Sequence, residues 1–258
     1  MEYRTLRLQV RDGVGVITLD RPELMNALNA QMRAELRHAL RDAGARARCL
    51  VLTGAGRAFC SGQDLGGEGD PAGLDLERIL REEYEPLMTD IAEAPAPVIA
   101  AVNGTAAGAG ATLALAADVV IAAESAVFVQ AFTRIGLIPD AGGTYWLPRQ
   151  IGFARAMGAM LFAERIGARQ AADWGMIWEV VPDEAFETAW RARAAALAAG
   201  PTRAYAALRK LLRDSHQRDH DAQFAAEAAA QGELGRSRDF REGVLAFMEK
   251  RPPEFDGR

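Results

Sequence analysis

One segment limits the possible folds of this chain more than any other. Residues 94–123 contain a single charge, Asp118, and thirty such residues are long enough for a membrane-spanning helix. However, prolines, polar residues and three glycines interrupt the segment, and most of the remainder is weakly hydrophobic alanine. We therefore predict part of a globular core: a buried strand over 98–102, a glycine turn, a buried helix and a strand over 119–122.

Strands and helices alternate through the first half of the chain. Apolar runs at 6–10 and 14–19 flank Asp12-Gly13, a dipeptide typical of tight hairpins. Asn29 is placed to cap a helix with apolar residues at helical spacing, and a short buried strand follows at 49–52. With a second helix at about 75–91, this alternation predicts an α/β core.

The second half of the chain is mainly helical, with one short strand predicted at 177–181. We predict an α/β core over 1–195 and a C-terminal helical region over 196–258 that packs on the core or on a neighbouring subunit. Helices are predicted at 142–150, 154–163, 168–174, 184–199, 202–214, 219–231 and 237–250.

Charge and cysteine content exclude several classes of protein. A net charge of −5 and a pI of about 5.4 do not suit a protein that neutralises a phosphate backbone, so we expect no nucleic-acid partner. Cys49 and Cys60 form neither a disulfide framework nor a metal-ligand spacing, so we expect no bound metal. The start MEYRTLRLQV lacks the apolar core of a signal peptide, and a cytoplasmic protein without a membrane partner is predicted.

Two glycine-rich turns are the first candidates for a binding site. GRAFCSGQDL at 56–65 and NGTAAGAG at 103–110 each follow a short apolar strand. Glycine allows the backbone to approach a ligand and direct N–H groups at it, and two such turns facing one point would form an oxyanion hole. On spacing alone, plain strand-to-helix turns explain both stretches equally well.

One carboxylate is a candidate general base. Asp140 lies in the apolar stretch GLIPDAGGT at 136–144, directly before a predicted helix. Such a setting raises the pKa of a carboxyl group towards values useful for proton transfer. The sequence alone favours a simpler role for Asp140 as the N-cap of that helix.

Taken in order, these motifs resemble the crotonase superfamily of acyl-CoA hydratases and isomerases. The stretches are RPELMNAL at 21–28, FCSGQDL at 59–65, NGTAAGAG, GLIPDAGGT and the closing FMEKR at 247–251. The resemblance implies a crotonase-like spiral of ββα turns with a helical C-terminal layer, assembled as a homotrimer or a dimer of trimers. It also implies an acyl-CoA thioester substrate with an oxygen that accepts hydrogen bonds from the backbone N–H groups of Gln63 and Ala109. Because backbone groups form this hole, truncating the Gln63 side chain is expected to do little.

Departures from the family pattern indicate the reaction. Hydratases of this superfamily place two glutamates across the bound acyl group, whereas the matching positions here are Thr112 and Phe132. Simple hydration is therefore not expected. Asp140 matches the position at which several isomerases of the superfamily carry a catalytic aspartate, and the resemblance implies that it is the base.

Within the superfamily, the motifs are most similar to the isomerases of aerobic phenylacetate degradation, which convert ring-1,2-epoxyphenylacetyl-CoA into an oxepin. The aromatic residues Phe132, Tyr145 and Trp146 would suit an aromatic acyl group, although core packing explains them equally well. No cofactor is expected beyond the CoA of the substrate. Two alternatives stay open: a Δ3,Δ2-enoyl-CoA or dienoyl-CoA isomerase acting on aliphatic chains, and a non-catalytic homologue that binds acyl-CoA or a partner protein.

The resemblance also implies residues that contact CoA or the acyl group. They include Lys250, one of only two lysines in the chain, which would bind the CoA phosphates, often from the adjacent subunit. A solvated cation at a helix end explains Lys250 equally well. The full set is Asp64, Leu65, Phe132, Phe247 and Lys250.

Overall fold

The computed structural model describes residues 2–66 and 73–257, and in this part of the chain ten strands form two sheets. The strands are β1 (Leu6–Arg11), β2 (Val14–Leu19), β3 (Cys49–Gly54), β4 (Ala58–Cys60), β5 (Val98–Val102), β6 (Thr105–Ala107), β7 (Val119–Ala123), β8 (Val127–Val129), β9 (Arg165–Gly167) and β10 (Glu179–Val181).

Most of the helices lie in the second half of the chain, as predicted. A π-helical stretch, Leu80–Tyr84, joins α2 to α3, so residues 76–92 form one irregular helix. The helices are α1 (Ala30–Gly44), α2 (Leu76–Ile79), α3 (Glu85–Ala92), α4 (Ala109–Leu115), α5 (Gly143–Ile151), α6 (Phe153–Phe162), α7 (Ala168–Asp173), α8 (Phe186–Ala199), α9 (Thr202–Asp214), α10 (His220–Leu234) and α11 (Arg238–Glu249).

The chain alternates between the two sheets. The larger sheet has the order β1-β2-β3-β5-β7-β10 and is parallel except for the β1–β2 hairpin. The smaller sheet has the order β4-β6-β8-β9, and its first three strands are parallel. Each of the pairs β3–β4, β5–β6 and β7–β8 contributes one strand to each sheet before a helical segment follows. This arrangement confirms the predicted spiral of ββα turns.

The local predictions in the first half are confirmed where a turn or a cap determines the structure. Asp12 and Gly13 both have positive φ, 51° and 75°, as a two-residue hairpin turn requires. The Asn29 side chain accepts a hydrogen bond of 2.8 Å from the N–H of Met32 and caps α1. The sequence missed the smaller sheet, because its strands have only three residues each, and β4 and β6 lie inside the stretches interpreted as glycine turns.

The long apolar segment forms β5, β6, α4 and β7 in the protein core. Its single charge, Asp118, accepts hydrogen bonds from Arg209 and Arg213 at 2.6 and 2.9 Å, and from the N–H of Val98 at 2.7 Å. Two arginines of α9 therefore neutralise the one carboxylate of this segment. Among the described residues, no helix has the length and apolar character needed to cross a membrane.

Helix α8 covers one face of the larger sheet. Phe186, Trp190 and Ala194 pack against buried residues of β3, β5 and β7. Arg209 of α9 also hydrogen-bonds the carbonyl groups of Ile91 and Ala94, which attaches the next helix to the core. The predicted domain boundary at 195/196 falls inside α8, and the division into two regions stays a prediction.

Candidate active site

The site lies where three parallel strands of the smaller sheet end. Residue Cys60 of β4 pairs with β6, and Ala107 of β6 pairs with β8, so the loops after these strands meet at one edge. These loops begin at residues 61, 108 and 130. In open α/β structures, ligands bind at the carboxyl ends of parallel strands, which makes this edge the candidate site.

Two of these loops bring together the predicted oxyanion donors. Gly62 has φ +94°, and a Cβ at this position would lie 2.7 Å from the carbonyl oxygen of Ala107 and 3.3 Å from the nitrogen of Ala109. Only glycine therefore allows the backbone next to Gln63 to approach Ala109 so closely. The N–H of Ala109 is the first of α4 and has no hydrogen-bond acceptor within the described residues.

The RPELMNAL stretch fixes the first of these loops. Leu28 donates its N–H to the carbonyl oxygen of Gly62 at 2.8 Å and accepts from the N–H of Asp64 at 3.1 Å. The fully buried Asn26 side chain donates to the carbonyl groups of Ala58 and Phe59, at 2.8 and 3.2 Å. These bonds explain why a motif distant from the loop in sequence belongs to the site.

Asp64 also holds this loop in place. Its carboxylate is buried and lies 2.8 Å from the guanidinium of Arg21, which also donates to the carbonyl oxygen of Ala27. The structure therefore gives the loop an ion pair at a position where the resemblance implies a contact with CoA. The next residue, Leu65, is 39% exposed and accessible to a ligand.

The Gln63 side chain is tied to a buried cluster that the sequence did not indicate. Its Oε1 accepts from Nη1 of Arg33 at 2.8 Å and from the hydroxyl of Tyr84 at 2.6 Å. Arg33 is 1% exposed and forms an ion pair of 2.7 Å with Glu83. The available signal was Arg33 itself, which stands on the apolar face of α1, one turn from Leu36.

Asp140 does not cap a helix. The N-cap of α5 is Gly142, and no side chain accepts a hydrogen bond there. Ala141 and Gly142 both have positive φ, 51° and 87°, and the N–H of Gly143 donates to the backbone carbonyl of Asp140 at 2.8 Å. Positive φ at an alanine is a strained conformation that is typically found at functional sites. The capping interpretation favoured by the sequence is wrong, and the Asp140 carboxylate is available for another role.

The surroundings of Asp140 suit a general base. Its Oδ1 is buried and has no hydrogen-bond partner among the described residues, and burial raises the pKa of this carboxyl group to about 6. Burial also raises the pKa of the Tyr84 hydroxyl, and the negative charge of Asp140 adds to this effect. The charge of Asp140 therefore acts on the Tyr84 hydroxyl, which donates a hydrogen bond to the Gln63 side chain.

Next to Asp140 lies an apolar cleft of ≈ 380 Å³. Its lining includes Ala141, Gly142 and Tyr84, together with Tyr145 and Trp146, whose ring centroids lie 4.8 Å apart in an edge-to-face arrangement. The cleft therefore offers aromatic surfaces beside the turn that carries Asp140.

The two positions at which the resemblance implies a departure from the hydratases, Thr112 and Phe132, lie near the 103–110 turn and the start of α5. The Phe132 ring is buried, and its Cζ lies 3.7 Å from the place that a Cβ on Gly108 would occupy. Thr112 is fully buried, and its hydroxyl would lie 3.1 Å from a Cβ on Gly143. The structure therefore places the Phe132 ring against Gly108 and the Thr112 hydroxyl against the start of α5, and their part in the reaction stays a prediction.

The structure of one chain does not bring Phe247 and Lys250 to this edge. Phe247 lies on α11 and is 86% exposed, and Lys250 ends this helix in a left-handed conformation with φ 55°. A cavity of ≈ 390 Å³ that Phe247 helps to line is formed by residues between 201 and 255. A contact of these residues with CoA stays a prediction.

Comparison with known proteins agrees with this geometry. A family model described as enoyl-CoA hydratase/isomerase matches residues 9–258. The chain belongs to this enoyl-CoA hydratase/isomerase (crotonase) family. It is therefore an enzyme of the crotonase superfamily that acts on CoA thioesters.

Relatives within the crotonase family are named for different reactions. A "Probable enoyl-CoA hydratase" of Rhodobacter capsulatus is 66% identical over 258 residues, with both chains fully covered. The 1,2-epoxyphenylacetyl-CoA isomerase of Escherichia coli is 48% identical over 254 residues, covering 96% of this chain and 97% of that one. The crystal structure of an enoyl-CoA hydratase from Bacillus anthracis has a TM-score of 0.91 at 34% identity, covering 99% of this chain and 100% of that one. The crotonase fold is shared, and the side chains of the site have to distinguish the reactions.

Proposed function

We propose that this crotonase is an acyl-CoA isomerase that converts 1,2-epoxyphenylacetyl-CoA into its oxepin isomer. One observation carries the proposal: Asp140 offers a largely buried carboxylate with a raised pKa, while Thr112 and Phe132 occupy the positions at which the resemblance implies glutamates in the hydratases. Neither a hydroxyl nor a phenyl ring exchanges a proton readily near neutral pH, whereas a carboxyl group with a pKa of about 6 does. The 48% identity to the E. coli isomerase supports the same reaction.

The oxyanion hole would lower the pKa of the C–H group at the α-carbon of the thioester. In this mechanism the thioester oxygen accepts hydrogen bonds from the N–H groups of Gln63 and Ala109. These donors stabilise the enolate that forms when the α-carbon loses a proton, and the loss of one such donor typically costs about 2.7–4 kcal/mol of barrier. The close approach of the two loops at Gly62 supports this role.

Asp140 would then move one proton. Its carboxylate removes a proton from the α-carbon and returns it to a carbon of the seven-membered ring. The bond between the two epoxide carbons breaks during ring expansion, and the oxygen stays in the ring. Substrate and product contain the same atoms, so the reaction needs no cofactor beyond the CoA of the substrate. A site with one base is sufficient for this shuttle.

The apolar lining supports an aromatic acyl group. Phe132 lies against the oxyanion turn, and Tyr145 and Trp146 line the cleft beside Asp140. Aromatic rings pack favourably edge to face or offset against one another. An aliphatic 3-enoyl chain, the substrate of the alternative Δ3,Δ2 or dienoyl isomerase, would make fewer such contacts.

The CoA contacts and the assembly belong to the same proposal. We propose that a homotrimer or a dimer of trimers brings Phe247 and Lys250 to the CoA of a neighbouring subunit, in the cytoplasm and within phenylacetate catabolism. The exposure of Phe247 and its separation from the site within one chain support a contact between subunits. Charge reversal in Lys250→Glu would then raise KM for the acyl-CoA with little change in kcat.

Turnover of three thioesters tests the proposed reaction. The wild-type enzyme should isomerise the aromatic epoxide thioester faster than an aliphatic 3-enoyl thioester, and it should hydrate crotonyl-CoA little or not at all. Asp140→Asn should abolish isomerisation while acyl-CoA binding stays close to that of the wild type. A preference for the 3-enoyl substrate would select the aliphatic isomerase instead. Binding without turnover of any isomerase substrate would select the non-catalytic homologue.

A further inference from the structure

A second polar group of the site has no role in the mechanism above. Gln130 is 1% exposed, and neither Nε2 nor Oε1 of its amide has a hydrogen-bond partner among the described residues. Buried side-chain amides are nearly always hydrogen-bonded, because leaving one unpaired is unfavourable. An amide with both atoms unpaired is therefore available to hydrogen-bond a ligand.

Gln130 lies at the same edge of the smaller sheet as the oxyanion turn. It follows β8 directly, and the preceding residue, Val129, accepts a hydrogen bond of 2.9 Å from the N–H of Gly108. Two residues further on, the Phe132 ring lies against the same glycine. The unpaired amide thus belongs to the third of the three loops that meet at the site.

The amide also lies at the turn that carries the proposed base. A Cβ on Gly143 would lie 3.8 Å from the Oε1 of Gln130 and 3.1 Å from the hydroxyl of Thr112. Gly143 donates its N–H to the backbone carbonyl of Asp140, whose Oδ1 is likewise buried and unpaired. The Thr112 hydroxyl makes only a long contact, 3.5 Å, with the carbonyl oxygen of Gly108. Three polar groups that make no hydrogen bond or only a long one therefore lie near the start of α5: the Gln130 amide, the Thr112 hydroxyl and Oδ1 of Asp140.

We propose that the Gln130 amide and the Thr112 hydroxyl form a subsite for the ring oxygen of an oxygenated acyl group. This inference rests on the proposed function. In the epoxide substrate the oxygen is two bonds away from the α-carbon, so the group that holds the oxygen has to lie close to the base. Gln130 meets this requirement because its Oε1 lies 3.8 Å from the place of a Cβ on Gly143, the residue that donates its N–H to the Asp140 carbonyl. A hydrogen bond to the ring oxygen would orient the α-carbon towards Asp140.

This subsite would also select the substrate. An acyl group without oxygen leaves the amide unpaired, and sites built around a buried polar group discriminate against ligands that lack its partner. The subsite therefore favours an oxygenated acyl group over a hydrocarbon chain of similar shape. This selection acts on binding and needs no turnover.

Binding of two unreactive thioesters tests the subsite. The ligands are 2-hydroxyphenylacetyl-CoA, which carries an oxygen on the ring carbon next to the side chain, and phenylacetyl-CoA, which lacks it. By titration calorimetry, the wild type should bind the hydroxylated ligand about five- to tenfold more tightly, the gain expected from one net hydrogen bond. Gln130→Met, which keeps the shape of the side chain, should bind both ligands equally. Thr112→Val should reduce the same preference.

A matched control is available on α5. Gln150 also has a buried Oε1 without a partner, but its Nε2 donates to the carbonyl oxygen of Leu115 at 3.1 Å. Gln150→Met should keep the wild-type preference, and thermal unfolding of all variants verifies that they fold. Equal binding of both ligands by the wild type, or an unchanged preference in both Gln130→Met and Thr112→Val, would overturn the subsite. Absent epoxide turnover with the preference intact would instead overturn the isomerase and leave the subsite standing.

Discussion

Replacing Asp140 with Asn should abolish activity and stabilise the folded protein at the same time. In the folded protein the Asp140 carboxylate lies largely out of water, and its Oδ1 has no partner among the described residues. Ionisation is therefore less favourable in the folded than in the unfolded state. Asparagine has nearly the same shape and stays neutral at every pH. The stabilisation should consequently appear only where Asp140 is ionised.

The magnitude follows from the pKa of Asp140, about 6 in the folded protein against an ordinary value of 3.8. A shift of about two units corresponds to about 3 kcal/mol at 1.36 kcal/mol per unit. Because the side chain is partly exposed, solvent screening reduces the expected gain to about 2 kcal/mol. Between pH 3.8 and about 6 the folded state binds more protons than the unfolded state, so wild-type stability falls as the pH rises through this window. Above about pH 6, ionised Asp140 destabilises the folded wild type by the full amount.

Urea denaturation at several pH values measures this effect. At constant protein concentration, Asp140→Asn should be more stable than the wild type by about 2 kcal/mol at pH 8, and the difference should shrink to below about 1 kcal/mol near pH 4.5. Glu164→Gln, at an exposed carboxylate, is the control and should change stability little at either pH. Equal or lower stability of Asp140→Asn at pH 8, or a gain independent of pH, would refute the assignment of a destabilised carboxylate.

Three further predictions concern catalysis and the oxyanion hole. The value of kcat/KM for isomerisation should fall tenfold per pH unit below about pH 6, because Asp140 acts as a base only when deprotonated; a flat profile would exclude it. The sequence alone predicts little effect of truncating the Gln63 side chain, but the structure shows that this side chain accepts a hydrogen bond from the buried Tyr84 hydroxyl. Gln63→Ala should therefore lower the free energy of unfolding by about 1–3 kcal/mol, and unchanged urea denaturation would contradict this. Gly62→Ala should reduce kcat more than it raises KM, because the added Cβ meets the carbonyl oxygen of Ala107 at 2.7 Å and separates the two loops; wild-type kcat would count against the hole.

The sequence predicted those parts of the fold that local chemistry determines. The Asp12-Gly13 hairpin, the Asn29 cap and the buried strands all follow from residue type and spacing, and the structure confirms them. The smaller sheet was missed because three residues are too few to show a periodic pattern, and only pairing with neighbouring strands stabilises them. The edge at which the loops meet therefore became visible only in three dimensions.

The supporting residues of the site could not be predicted for a different reason. Arg33 and Glu83 are fifty positions apart in the sequence, and each alone suggests a solvated charge on a helix. Burial of Arg33 becomes possible only because Glu83 and the Gln63 amide meet it in space. The capping interpretation of Asp140 failed similarly, since it depends on the backbone angles of Ala141 and Gly142.

The proposed division of labour within the site would allow relatives of high identity to catalyse different reactions. The proposed oxyanion hole consists of backbone N–H groups. The close approach of the loops at Gly62 and the hydrogen bonds from residues 21–28 hold these groups in place, so most side-chain substitutions should leave the hole intact. In the proposed mechanism, proton transfer depends instead on side chains at a few positions from α4 to the start of α5, which are Thr112, Phe132 and Asp140 in this chain. In the proposed mechanism, changes at these three positions would alter the chemistry while thioester binding is retained.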